Sequence, residues 1–95
     1  MDFCRAIRNR QVLTFEYHGK LRVVEPHMLG FFENGSESLH AWQRSGGSKV
    51  EWRNFHTGDI RGCEPTGEIF KRPHSGYNPD GANYAFIICE LDPVA

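Results

Sequence analysis

The sequence predicts a mainly β domain: a small closed antiparallel barrel of five or six strands, entered through one short N-terminal helix. Two observations carry this. From Gln11 onward, apolar and polar residues alternate at the two-residue period of half-buried strands. The alternating runs are short and are divided by glycine-containing turns, at His18-Gly19, Asn34-Gly35 and Ser45-Gly46-Gly47-Ser48, the punctuation of a small barrel.

The elements follow in order. Asp2 can accept a hydrogen bond from the first free amides of a helix, after which Phe3, Ala6, Ile7 and Arg10 fall at helical spacing and Arg5, Arg8 and Asn9 face outward. The helix should end near Asn9. Leu13, Phe15 and Tyr17 then alternate against Val12, Thr14 and Glu16, and His18-Gly19 reverses the chain into a second strand from Leu21 to Glu25. Pro26 cannot donate to a ladder, so that strand bends or meets an edge there before Met28 to Phe32 resumes it. Glu33 to Ser36 forms a hairpin turn by its Asn-Gly. A third strand runs from about Ser38 to Arg44 and a fourth from Lys49 to Phe55. A closing strand is expected at Ile60 to Cys63 or Glu68 to Phe70. Residues 71–82, with Pro73, Pro79 and Asn78-Pro79-Asp80-Gly81, have no period and read as a loop. Asn83 to Leu91 is a final strand whose uncharged run, Tyr84 to Cys89, must be covered by its own barrel or by another chain.

Ninety-five residues make one domain, 1–95, which on folding buries about 60–65% of its unfolded surface. A charged fraction of 24% with 13% aromatics is the composition of a folded chain. The net charge of −1 excludes global attraction to nucleic acid, so any such binding needs a local patch. Cys4, Cys63 and Cys89 are odd in number and far apart, matching neither a disulfide framework nor a CxxC knuckle, which points to a reducing cytoplasm. No apolar run approaches the ~18 residues of a membrane span.

For chemistry, alternation on the third strand puts Leu39, Ala41 and Gln43 on one face and His40, Trp42 and Arg44 on the other; on the fourth it separates Arg53 and Phe55 from Trp52 and Asn54. If the aliphatic residues face the core, His40, Trp42 and Arg44 share an outer surface suited to stacking bases and holding phosphates. The plainer alternative makes Trp42 and Trp52 packing residues and the arginines a solvated rim. The five histidines, 18, 27, 40, 56 and 74, match no zinc or catalytic spacing and read as turn and surface residues; no metal or other cofactor is expected. There is no spaced carboxylate pair, phosphate loop or activated nucleophile, so the chain is not read as an enzyme.

Five pieces recur in a defined order: Ala6-Ile7-Arg8-Asn9-Arg10; Leu13-Thr14-Phe15-Glu16-Tyr17-His18-Gly19; Arg22-Val23-Val24-Glu25-Pro26; Leu39-His40-Ala41-Trp42-Gln43; and Trp52-Arg53-Asn54-Phe55. Taken together they resemble the WYL domain family over residues 3–70, with 71–95 outside the pattern. The sequence has Glu37 and Ser38 where that family carries its Trp and Tyr, and Asp59 where an arginine is usual. The resemblance implies an SH3/Sm-like barrel of the kind found in bacterial transcriptional regulators. It also places Arg22 (of Arg-x-x-x-Pro) and Arg53 (of Arg-x-Phe) near a surface that senses an effector, often proposed to be nucleic acid or a nucleotide. A guanidinium suits that role because its planar fork grips phosphate and stacks on rings. An ion pair with Glu16, Glu25 or Glu51 stays open as the other use of each arginine.

Two readings of function result. In the first the chain is a regulatory accessory module binding single-stranded nucleic acid or a nucleotide-like anion through Arg22, His40, Trp42, Arg44, Arg53, Phe55 and Arg61, which requires its arginines to converge on one groove. In the second it is an interaction module or homodimer working by strand pairing, which requires an apolar patch around Phe86 and Ile88.

Overall fold

The computed structural model describes residues 1–47 and 50–92, and over these the protein is mainly β, six antiparallel strands in one sheet with one short helix. The helix, α1 (Phe3–Arg8), starts where expected: Asp2 Oδ1 accepts from the Arg5 amide at 3.0 Å, and Ala6 and Ile7 are buried. The strands are β1 (Gln11–Tyr17), β2 (Lys20–Phe31), β3 (Glu37–Ser45), β4 (Glu51–His56), β5 (Ile60–Ile69) and β6 (Phe86–Glu90). His18 and Gly19 both have positive φ, the conformation of a two-residue hairpin turn. At the next turn Asn34 Oδ1 accepts from the amide and hydroxyl of Ser36. Ser48 and Lys49, within the expected third turn and fourth strand, lie outside the described residues.

The strand order is β4-β3-β2-β1-β5, with β6 paired to the far end of β2. β2 spans twelve residues because it serves three partners. Its first half pairs with β1 through Leu13↔Val24, Val23 to Phe31 pair with β3, and Met28 to Phe31 also with β6. Pro26 falls in the gap between the β1 and β6 ladders, beside a register shift against β3, so its missing N–H is tolerated in mid-strand. The two candidates for a closing strand are one long strand, β5, kept on β1 by two register shifts.

Direct cross-strand partners share a face, and the registers gather Leu13, Phe15, Val24, Leu39, Ala41 and Phe55 on one side as the core. The sheet curls until β1 and β4, three places apart, meet: Phe15 and Tyr17 lie edge-on to Phe55 at 5.1 and 4.9 Å, and the His56 amide donates to Tyr17 Oη. Among the described residues no ladder joins β4 to β5. The barrel expected from the short strands is therefore curled but not closed; side-chain packing and one side-chain hydrogen bond bridge where a sixth set of backbone bonds would be needed.

The last strand is shorter than expected and pairs with its own sheet. Gly30 makes that possible: a Cβ there would stand 2.6 Å from the Phe86 carbonyl oxygen and from the Tyr84 ring. Tyr84 Oη donates to the Ser38 carbonyl, and burial pushes its phenol up to about 12. The cysteine reading is corrected. Cys4 on α1 and Cys89 on β6 form a disulfide, because folding brings the two ends of the chain together although 85 positions separate them. Cys63 is free and half-buried, and burial pushes its thiol up to about 11, which makes it a poor nucleophile at neutral pH. No helix among the described residues is long and apolar enough to cross a membrane.

Candidate functional site: two faces of one sheet

The seven candidate residues do not share a groove. Alternation divides them between the faces of the sheet, and Arg61 lies on β5, at the opposite end of the strand path from β4, with its guanidinium donating to the carbonyls of Gly58 and Ile60.

Arg22 and Arg53 lie on the core side, at one end of the sheet. Arg22 stands opposite Phe15, and Arg53 stands opposite Ala41. Arg22 is only 5% exposed: one Nη donates to Gln43 Oε1 at 2.9 Å, the other to the Tyr17 carbonyl at 3.2 Å, and Nε is buried with no hydrogen-bond partner among the described residues. Its guanidinium lies 5.6 Å from the Tyr17 ring centre, and that of Arg53 lies 5.5 Å from the Phe55 ring centre. Burial first, and the Arg53 charge second, lower the Arg22 pKa. Among the described residues neither guanidinium is in an ion pair, so the positive charge here is not neutralised locally. The turn after β3 presses against this end: a Cβ on Gly46, whose φ is positive, would run into the Leu21 carbonyl oxygen. Phe55 is wholly buried and supports Arg53 instead of meeting a ligand.

Trp42, His40 and Arg44 occupy the opposite face, as expected, but that face is covered. Arg44 is held by two carboxylates, Nε to Glu25 at 2.7 Å and Nη1 to Glu68 at 2.7 Å. Burial alone would lower its pKa; the hydrogen bonds to Glu25 and Glu68 outweigh that and raise it. His74, from the loop 71–85, stacks on Trp42 at 3.8 Å and 16°. Tyr77 covers Trp52 and His27, and His40 is stacked on Trp52 at 5.0 Å while bonded through Nδ1 to Asn54 Oδ1 at 2.6 Å. Neither tryptophan therefore presents an open platform.

The histidine reading is also corrected in part. His27 is fully buried and His40 nearly so, because the loop covers the outer face of β2 and β3. The tautomer of His27 follows from its neighbours. Nε2 accepts from the His74 amide at 2.9 Å, so Nδ1 carries the proton and donates to the Glu25 carbonyl at 2.8 Å. A second proton would have to displace the His74 N–H. Burial is the largest cause that holds His27 down at about 4; the nearby His40 and His74 act in the same sense, and Glu25 against it. His27 was missed in the sequence because no motif marks it, although its place inside an apolar strand was a signal. Glu25 was marked only as a possible partner of Arg22 or Arg53 and pairs instead with Arg44, while His74 and Tyr77 lie in a loop without period.

A pH dependence follows. The folded pKa of His27 lies below the unfolded value, so its contribution is fully present above about 6.5 and is lost as pH falls toward 4. The loss is about 3 kcal/mol by pH 4. His40, also lowered, adds in the same direction. Urea midpoints between pH 7 and pH 4 should show it. A His27→Gln chain should have a shallower slope, and an unchanged slope would remove His27 as its source.

Among the described residues no group of three or more His, Cys, Asp or Glu is placed to hold a metal ion. Comparison of the chain with protein-family models, curated proteins and solved structures returns no match.

Proposed function

We propose that the chain is a non-enzymatic ligand-sensing or regulatory accessory module, of the kind that WYL domains represent, which binds a nucleotide-like anion or the phosphates of a single strand at Arg22 and Arg53. One observation carries this reading: two guanidiniums on one face, close enough for one to depress the pKa of the other, with no carboxylate paired to either among the described residues. Such a pair is costly to keep without an anion and is the natural place for one. Arg53, the less buried, would make the direct contact; Arg22, fixed by Gln43 and Tyr17, supplies charge from behind. The resemblance of the Arg-x-x-x-Pro and Arg-x-Phe elements supports the same two residues. The reading includes a cytoplasmic location, where the Cys4–Cys89 pair would stand reduced; the disulfide itself favours an oxidising one.

The test is fluorescence anisotropy with a labelled oligothymidylate, competed by ADP, at rising salt. Affinity should fall steeply with salt because each neutralised phosphate releases counterions. Arg53→Ala should weaken binding about tenfold, the scale of one charge-assisted contact. Salt-independent binding, or an Arg53→Ala chain that binds as well as the parent, would refute the reading.

One observation favours a second reading, an interaction module acting by strand pairing. Among the described residues β6 pairs with β2 alone, and its Phe86, Ile87 and Ile88 are 63%, 39% and 39% exposed. Sedimentation at micromolar concentration should then give a dimer that Ile88→Lys dissociates. A monomeric parent chain rules out a homodimer.

A further inference from the structure

The face of the sheet turned away from the two arginines carries a ring site that the chain fills itself. Trp42 lies edge to face with Trp52 at 5.4 Å, and the His74 imidazole covers it as a base would. Beside that imidazole lies the carboxylate of Glu25, a residue only 6% exposed. Its Oε2 is held by Arg44 at 2.7 Å, but its Oε1 has, among the described residues, only His74 Nδ1, at 3.5 Å, a separation at which a hydrogen bond is weak. One carboxylate oxygen of a nearly buried residue is thus left, among the described residues, without a close protein donor at the edge of a stacking position.

The loop that delivers His74 is attached in a way that allows it to lift. Between Phe70 and Ala85 no backbone-to-backbone hydrogen bond ties it to the sheet among the described residues. Around His74 it is held by the His74 amide on His27 Nε2, by Tyr77 Oη on the Leu91 carbonyl and by ring contacts, and at its far end by Tyr84 Oη on Ser38. Segments held by few side-chain contacts open at a small fraction of the global unfolding free energy.

We propose that Trp42 and Glu25 form a binding site for a planar nitrogen heterocycle bearing an exocyclic amino group, such as adenine, and that His74 is its resident stand-in, displaced when the ligand binds. The heterocycle stacks on Trp42 in place of the imidazole, and its amino N–H donates to Glu25 Oε1, which His74 serves poorly. His27 and His40 line the floor as neutral rings. The ligand needs no phosphate, and the site is independent of Arg22 and Arg53, which lie on the other face.

Adenosine is the probe, followed by tryptophan fluorescence and by proton NMR of the histidine rings. In the parent chain, saturating adenosine should return the His74 ring protons, shifted upfield by Trp42, to ordinary positions. Removing the occupant in His74→Ala should tighten adenosine binding at least tenfold, because the cost of displacing the ring is gone. His74→Phe, which keeps a ring on Trp42, should bind no better than the parent. N6,N6-dimethyladenosine, lacking the N–H, should bind at least tenfold more weakly than adenosine. Adenosine that leaves the His74 signals in place, or a folded His74→Ala chain that binds no more tightly, overturns the proposal. Should His74→Ala fail to fold, the NMR titration and the dimethyl analogue decide it on the parent chain. Arg53→Ala should leave adenosine binding unchanged, so this site and the anion site stand or fall separately.

Discussion

Reduction of the Cys4–Cys89 bond should lower the melting temperature by on the order of 20 °C. The bond joins residues 85 positions apart, so it closes nearly the whole chain into one loop. Restricting an unfolded chain by a loop of that length stabilises the native state by about 4–5 kcal/mol on the chain-entropy account. For a domain of 95 residues, each kcal/mol moves the midpoint by roughly 4–8 °C. The native state has its own reason to depend on the bond. It fastens α1, a six-residue helix too short to persist alone, to the edge strand β6, which among the described residues has only the β2 ladder, on one side. Calorimetry of the parent chain with and without a phosphine reductant, beside a Cys4→Ser/Cys89→Ser chain, measures the effect. A shift under about 5 °C would mean that packing alone holds the two ends together. Cys63 should not substitute for either partner, since burial keeps its thiol protonated at neutral pH.

Truncation after Phe70 should abolish cooperative folding, the largest effect expected of any single change. Residues 71–92 carry β6, the disulfide partner Cys89, buried Ala82 and Leu91, and the rings that cover His27 and Trp42. Their loss exposes the outer face of β2 at His27 and Met28, both completely buried in the whole chain, and leaves Gly30 facing solvent where Phe86 and Tyr84 had packed. Each large side chain uncovered costs about 1.5–3 kcal/mol, and the lost cross-link adds its own share. A domain of this size holds only about 5–15 kcal/mol in all. Circular dichroism and heat-capacity scans of residues 1–70 should find no cooperative transition. A soluble fragment with a sharp melt would show that the first five strands make a complete fold, and that β6 is an addition to it.

Much of the fold was legible because short-range chemistry decides it. Asp2 caps its helix by reaching three residues along the chain, and the hairpins turn at His18-Gly19 and at Gly35 because those backbones accept positive φ. Leu39, Ala41 and Phe55 are buried as their alternation required, and Pro26 marks the break in pairing that a missing amide demands. All of these depend on neighbours within a few residues. The boundaries of the first four strands shifted by a residue or two for the usual reason, that ladders end where a partner ends, while β5 runs unbroken from Ile60 to Ile69 and the last strand starts three residues late, at Phe86.

The candidate site was legible only in its faces. Alternation correctly separated Trp42 and Arg44 from Arg53, and that separation is what keeps the arginines from meeting in one groove. Periodicity could not say that a loop without period would fold back over the outer face, since the contacts that hold it, His74 to His27 and Tyr77 to Leu91, join residues 47 and 14 positions apart. Nor could the count of cysteines show that the two at the ends of the chain would meet. The sequence by itself determined the mainly β class, the turns and the inward faces of the strands, because each is set by the conformational preferences of a few adjacent residues. The tertiary structure alone decided that the sheet curls without closing, that Cys4 reaches Cys89, that Arg44 is neutralised while Arg22 and Arg53 are not, and that His27 is buried and neutral. Each of those depends on which distant side chains share a small volume, and with it on the local desolvation and charge that no period in the sequence encodes.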